Sequence, residues 1–302
     1  MIEQSSDTVL IIVPQNFGLN PETAETNEFQ GQTTDSAVAE KARTETENLI
    51  QRLEEEGVHV IRVEDKPENI CPDAVFSNNW LGLHPGKKCV IYKMQSPLRR
   101  KEVRLDVIDT LQKQIGETEV INLLEMPDFE GEFLEGTGSL VFDHLHKKAY
   151  AALSARTSER LARKVTDLLK YELIPFETSM PSGKPVYHTN VMLCIGTGFI
   201  IVAPEIIKAE QKDFVLKHLQ DSGRTIIPIS VQQMRSFAGN VLEVRNHLNE
   251  KLIVLSSSAL NALSAEQIAA LQNHGLILES EIPAIEQTGG GSVRCMLTEV
   301  YI

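Results

Sequence analysis

Strand-like apolar runs come in twos and threes along this sequence, and an amphipathic helix follows each group. The runs are VLIIV at 9–13, VHVIRV at 58–63, KCVIY at 88–92, SLVF at 139–142 and AYAAL at 149–153. They continue with VMLCI at 191–195, FIIVA at 199–203, TIIPI at 225–229 and LIVL at 252–255. Their lengths are those of strands. Helical periodicity appears at 36–56, where Val38, Ala42, Leu49, Ile50 and Leu53 share a face before Gly57. It recurs at 101–115 through Val103, Val107, Leu111 and Ile115, and again over 205–222 before Gly223. Ser158 is placed to cap a helix to about Tyr171, and Ser264 with Gln267 forms a capping box for one to about His274. Five helices in 302 residues give a unit of roughly 60 residues, with no matching sequence repeat. The pattern predicts one α/β domain over residues 1–302, since no linker divides the chain.

Charge and cysteine usage narrow the function classes. The net charge of -13 argues against a nucleic-acid partner, because an acidic surface repels phosphates. No apolar run approaches the roughly 20 residues that span a bilayer, so no membrane partner is expected. The start lacks a basic n-region, so no secretory signal is expected. Cys71, Cys89, Cys194 and Cys295 are scattered without a C-x-x-C pair. That argues against a zinc site or a disulfide framework and fits a reducing cytoplasm. No phosphate-binding glycine motif is present. His144 and His146 lack a third ligand nearby and read as a surface turn.

Four segments do not read as core. PDAVFSNNW at 72–80 places Asp73, Asn78 and Asn79 beside the single tryptophan, Trp80. FLEGTGSLVF at 133–142 sets Glu135 against a glycine turn before a strand. VYHTNVMLCI at 186–195 opens an apolar run with His188 and Asn190, and TGGGSVRCMLTEV at 288–300 puts three glycines ahead of Cys295. Each has a plain structural reading: a turn, a buried histidine, a tight bend, a small buried thiol. Together they supply the parts of a nucleophilic site: a thiolate to attack, a histidine to move the proton and a carboxylate to orient it. The order Glu, His, Cys differs from that of papain-like proteases.

These segments carry a resemblance to the guanidine-modifying, or pentein, superfamily, which holds arginine deiminases, dimethylarginine dimethylaminohydrolases and amidinotransferases. The chain is most similar to the citrulline utilization hydrolase branch. The resemblance runs through FGLNPETAETNEFQ at 17–30, PDAVFSNNW, SPLRRKEVR at 96–104, FLEGTGSLVFD and SARTSER at 154–160. It continues through YHTNVMLC at 187–194, QMRSFAGNVLEV at 233–244 and GGGSVRCM at 289–296. It implies a five-bladed α/β propeller of ββαβ-type modules. It implies Cys295 as nucleophile, His188 as general acid/base and Glu135 as its partner. It places Asp73 on the substrate side of the pocket, and gives Arg156 and one of Arg99 and Arg100 to an amino-acid carboxylate.

Two departures point to the substrate. Arginine deiminases grip the guanidinium with two aspartates, and this chain has Asn79 and Asn190 at those positions. A neutral ureido group needs both donors and acceptors, which a carboxamide supplies. The expected substrate is therefore citrulline, cleaved to ornithine, ammonia and carbon dioxide, with the backbone of Gly289 to Gly291 as oxyanion donors. No cofactor and no metal are expected, and a homo-oligomer is compatible with the sequence. The alternatives are a guanidinium substrate, an amine acceptor in place of water, or a silent amino-acid-binding protein. The sequence leaves open whether Asn78 touches substrate or supports Asn79, and whether Phe76 and Trp80 line the pocket or fill the core.

Overall fold

The computed structural model describes residues 3–31, 35–68 and 70–301. Among the described residues, fifteen strands form five three-stranded sheets, matching the five modules that the resemblance implies. In every module the central strand pairs antiparallel with one neighbour and parallel with the other. The parallel partner follows after a helical crossover, as parallel pairing demands. The second module shows the plan: Leu81–His84, Lys88–Ile91, the helix Leu105–Ile115, then Glu119–Asn122. The third repeats it over Val141–Asp143, Lys148–Ala152, the helix Glu159–Leu169 and Glu172–Phe176.

Modules four and five follow suit. The fourth has Leu193–Ile195, Phe199–Val202, the helix Ala209–Gln220 and Thr225–Pro228. The fifth has Leu242–Arg245, Lys251–Ser256, helices Ser257–Ala262 and Ala265–Gln272, and Leu276–Ser280. The first module joins both ends of the chain. Thr8–Val13 pairs with His59–Glu64 and, antiparallel, with Thr298–Glu299, so the C-terminal strand closes the ring. The central strand Thr8–Val13 is buried along its whole length. Its unbroken apolar run follows from that burial.

All five expected helices are present, with shifted ends. Ser158 accepts from the Leu161 amide, and the Ser264–Gln267 capping box is complete. Val103 lies outside its expected helix: residues Arg99–Glu102 form a separate 3-10 turn, and extended Arg104 precedes Leu105. SLVF is only half strand, because Gly136–Ser139 coil into a helical turn before Val141. VMLCI likewise begins in a 3-10 turn over Thr189–Val191. Outer strands such as Glu119–Asn122 and Leu276–Ser280 are only partly buried, so their apolar signal is weaker in the sequence. Among the described residues, no helix is long and apolar enough to cross a membrane.

Candidate active site

The segments singled out in the sequence hold one position in the architecture: the turn just before a module's first strand. Ser77–Asn79 precedes Leu81, and Glu135 immediately precedes the turn Gly136–Ser139 ahead of Val141. His188 immediately precedes the turn Thr189–Val191 ahead of Leu193, and Cys295 sits in the helical turn Val293–Met296 ahead of Thr298. Close packing of these turns requires glycine. A Cβ on Gly136 (φ +51°) would stand 2.0 Å from the Asn78 carbonyl oxygen. One on Gly138 would stand 2.6 Å from both Asn79 Nδ2 and His188 Nδ1.

The pocket between the turns is lined by Asp73, Phe76, Asn79, Arg99, Arg156, Tyr187, His188, the three glycines and Cys295, with Thr23 and Asn27 from the 17–30 segment. That segment lies over the pocket. Asn20 Nδ2 donates to Asp73 Oδ2 at 2.7 Å, and Asn27 Nδ2 to the carbonyls of Gly289 and Gly290. The remaining void is about 10 Å³, room for one water.

His188 and Glu135 are both buried, with Nε2 2.8 Å from Oε2. Burial opposes the Glu135 charge, but Arg156, the His188 bond and Arg99 prevail and hold the carboxyl at about 2. An ionised Glu135 accepts only, so Nε2 carries the proton and Nδ1 keeps its lone pair. Nδ1 is buried and has no partner. Burial pushes His188 down to about 4, against the pull of Glu135. At neutral pH the pair is a neutral imidazole on a carboxylate, ready to take up a proton at Nδ1.

Carboxamides surround the Cys295 sulfur. Asn190 Nδ2 is 3.5 Å from Sγ and Asn190 Oδ1 is 3.8 Å from it. Asn240 Nδ2 donates to Sγ at 3.3 Å. Asn240 escaped the sequence reasoning, although its segment was among those resembling the family. The signal that finds it is positional: it is the fifth module's residue in the turn before a first strand, Leu242–Arg245.

The arginines part company. Arg99 is buried in the pocket wall and tied up by Glu102, at 2.8 Å and 3.0 Å from the two carboxylate oxygens. It also donates to Asn79 Oδ1 at 2.9 Å and lies 3.5 Å from Asp73. It organises the wall and has little left for a substrate carboxylate. Arg100 is exposed, donates to the carbonyls of Met94 and Gln95, and does not line the pocket. Arg156 lines the pocket, lies over the Tyr187 ring, and puts Nη1 3.7 Å from Glu135.

Asn78 does not line the pocket; its Oδ1 accepts from Asn79 Nδ2 at 2.9 Å and its Nδ2 donates to Thr137, so it supports Asn79. Phe76 forms the wall, and a Cβ on Gly291 would meet its ring at 2.8 Å. Trp80 is fully buried core. Asp73 is pushed upward by burial, which Arg99 and Asn20 only partly offset, and its Oδ1 has no partner. His144 is buried against the Tyr171 hydroxyl rather than on a surface turn, while His146 pairs with Asp143. Among the described residues, no His, Cys, Asp and Glu cluster has metal-binding geometry.

Five modules around a Cys, His and Glu pocket place the protein in the pentein superfamily of guanidine-modifying enzymes. Within it, the family model for eukaryotic N,N dimethylarginine dimethylhydrolase matches residues 13–302, and the chain belongs to that family. Among solved structures it resembles the N-terminal domain of ArgZ covalently bound to a reaction intermediate, at TM-score 0.76 and 19% identity over 97% of each chain. Full-length ArgZ, an arginine dihydrolase from the ornithine–ammonia cycle in cyanobacteria, matches at TM-score 0.76 and 18% identity, over 97% of this chain and 40% of that one. A dimethylarginine dimethylaminohydrolase adduct with 4-chloro-2-hydroxymethylpyridine matches at TM-score 0.67 and 18% identity over 99% of each chain. At these identities the likeness establishes the fold. No curated protein matches the sequence significantly.

Proposed function

We propose that the protein hydrolyses the ureido carbon of L-citrulline, giving ornithine, ammonia and carbon dioxide. One observation carries the substrate assignment. Carboxamides flank the reacting groups: Asn79 lines the pocket, while Asn190 and Asn240, outside its lining, hold the Cys295 sulfur from behind it. A guanidinium offers only donors and a positive charge, so it calls for carboxylates there. The neutral ureido group has a carbonyl oxygen for the amide donors and N–H groups for the amide oxygens.

In the proposed reaction the Cys295 thiolate attacks the ureido carbon. His188 takes the Cys295 thiol proton at Nδ1 as the sulfur attacks, then gives that proton to the departing δ-amine of ornithine, and Glu135 stabilises the imidazolium meanwhile. Neutral His188 then takes a proton from water, whose oxygen attacks the S-carbamoyl carbon. Carbamate leaves and decomposes to ammonia and carbon dioxide. The Gly290 N–H is committed to the Glu286 carbonyl, so the pocket-lining Gly291 backbone is the proposed donor to the developing oxyanion.

A second reading is a guanidinium substrate. It is favoured by Asp73, whose Oδ1 is buried without a partner, and by the likeness to an arginine dihydrolase and to a dimethylarginine dimethylaminohydrolase. A panel of citrulline, arginine and methylarginines, with ornithine and citrulline quantified, separates the two. Ornithine and ammonia from citrulline support the main reading, and citrulline formed from arginine overturns it. The double variant Asn79→Asp, Asn190→Asp is expected to lose citrulline turnover by at least about tenfold. Turnover equal to wild type would refute the carboxamide argument.

A further inference from the structure

We propose that Asn240 is a catalytic residue, a fixed amide donor that holds the Cys295 sulfur in its attacking orientation and favours its thiolate. The proposal rests on the reading of Cys295 as nucleophile and adds a group to it. Asn240 is fully buried. Both hydrogens of its Nδ2 are committed, one to the Asn190 carbonyl oxygen at 3.1 Å and one to Cys295 Sγ at 3.3 Å. The first bond fixes the second. Turning the amide over would set two oxygens face to face, so the N–H remains aimed at sulfur. Oδ1 is buried with no partner. An amide placed only for stability would satisfy its oxygen, and here the donor end has been favoured.

The backbone is bent to bring this about. Asn240 follows the turn after helix Val231–Arg235, in which Phe237 takes φ +62°, a conformation that non-glycine residues seldom adopt. Backbone strain held by its surroundings is a mark of functional positions. The turn is wedged against the segment that carries Asn190. A Cβ on Gly239 would stand 2.4 Å from the Val191 carbonyl oxygen, so only glycine lets the two backbones meet. The Phe237 ring packs on Phe29, with centroids 5.4 Å apart, and Phe29 packs on Tyr187 of the pocket. The fifth module thereby supplies the nucleophile with an amide donor in addition to that of Asn190. A thiolate accepts an N–H bond more strongly than a thiol does, so the donor lowers the energy of the reactive form.

The test is the pH dependence of Cys295 alkylation by iodoacetamide, followed by mass spectrometry in wild type, Asn240→Ala and Asn240→Asp. Circular dichroism checks that each variant is folded. The alkylation midpoint is expected to move to higher pH in Asn240→Ala and further in Asn240→Asp. At a fixed pH below the midpoint, Asn240→Ala is expected to react roughly tenfold more slowly. Folded variants with the wild-type profile overturn the proposal. In the wild-type protein, the Asn240 side-chain amide resonances are expected to titrate with the alkylation midpoint. Invariant resonances overturn the proposal even if neither variant folds. The assay involves no citrulline, so its outcome is independent of the substrate assignment. A Cys295 that resists alkylation throughout would instead overturn the nucleophile reading and this proposal with it.

Discussion

Glu135 Oε2 lies 2.8 Å from His188 Nε2, both side chains are buried, and the opposite ring nitrogen is left without a partner. The carboxylate thereby dictates which nitrogen can exchange protons. Glu135→Gln keeps the size but removes the charge that stabilises an imidazolium. It is expected to lower kcat by about 10²–10⁴ with a smaller change in KM. Steady-state kinetics on the folded variant check this, and an unchanged kcat would refute the pairing.

Arg99 and Arg100 are adjacent in sequence and should differ sharply when removed. Arg99→Ala strands Glu102 and Asp73 in the interior without their cation and is expected to cost about 3–5 kcal/mol. Burial already pushes Glu102 up to about 7 despite Arg99. Arg100→Ala removes exposed bonds to two backbone carbonyls and is expected to cost under about 1 kcal/mol. Urea denaturation of the two variants is the comparison.

Gly138 stands between Asn79 and His188. A methyl group there would press on Nδ2 of one and Nδ1 of the other at 2.6 Å. Gly138→Ala is expected to destabilise by about 1–3 kcal/mol and to reduce turnover beyond what the folded fraction explains. Full specific activity in the folded variant would mean that the His188 ring has more freedom than the packing allows.

Acid should destabilise the protein through buried neutral histidines. Burial holds His84, bonded to the Tyr92 hydroxyl, down at about 3. In the unfolded chain it takes a proton near its ordinary value of about 6.5. Its folded value is therefore depressed, the unfolded state binds more protons, and stability falls as pH drops from 6.5 toward 3. Between pH 7 and pH 5 this group alone accounts for about 2 kcal/mol. His84→Phe is expected to lose about that much less stability over the same interval. Denaturant unfolding at the two pH values measures it, and parallel losses in both proteins would refute the assignment.

The sequence by itself carried the alternation of strands and helices, the caps at Ser158 and Ser264, and the four polar segments that precede module strands. These signals are local, because periodicity and capping act over one or two turns of chain. It also carried Asn79 and Asn190 beside the other site candidates. Tertiary structure decided the rest. It turned Arg99 inward onto Glu102 and left Arg100 outside, buried Trp80 in the core, and put Phe76 in the wall. It brought Glu135 to His188 across 53 residues and Asn240 to Cys295 across 55. Contacts at that separation depend on how five modules close into a ring, and that closure is made by strands from the two ends of the chain.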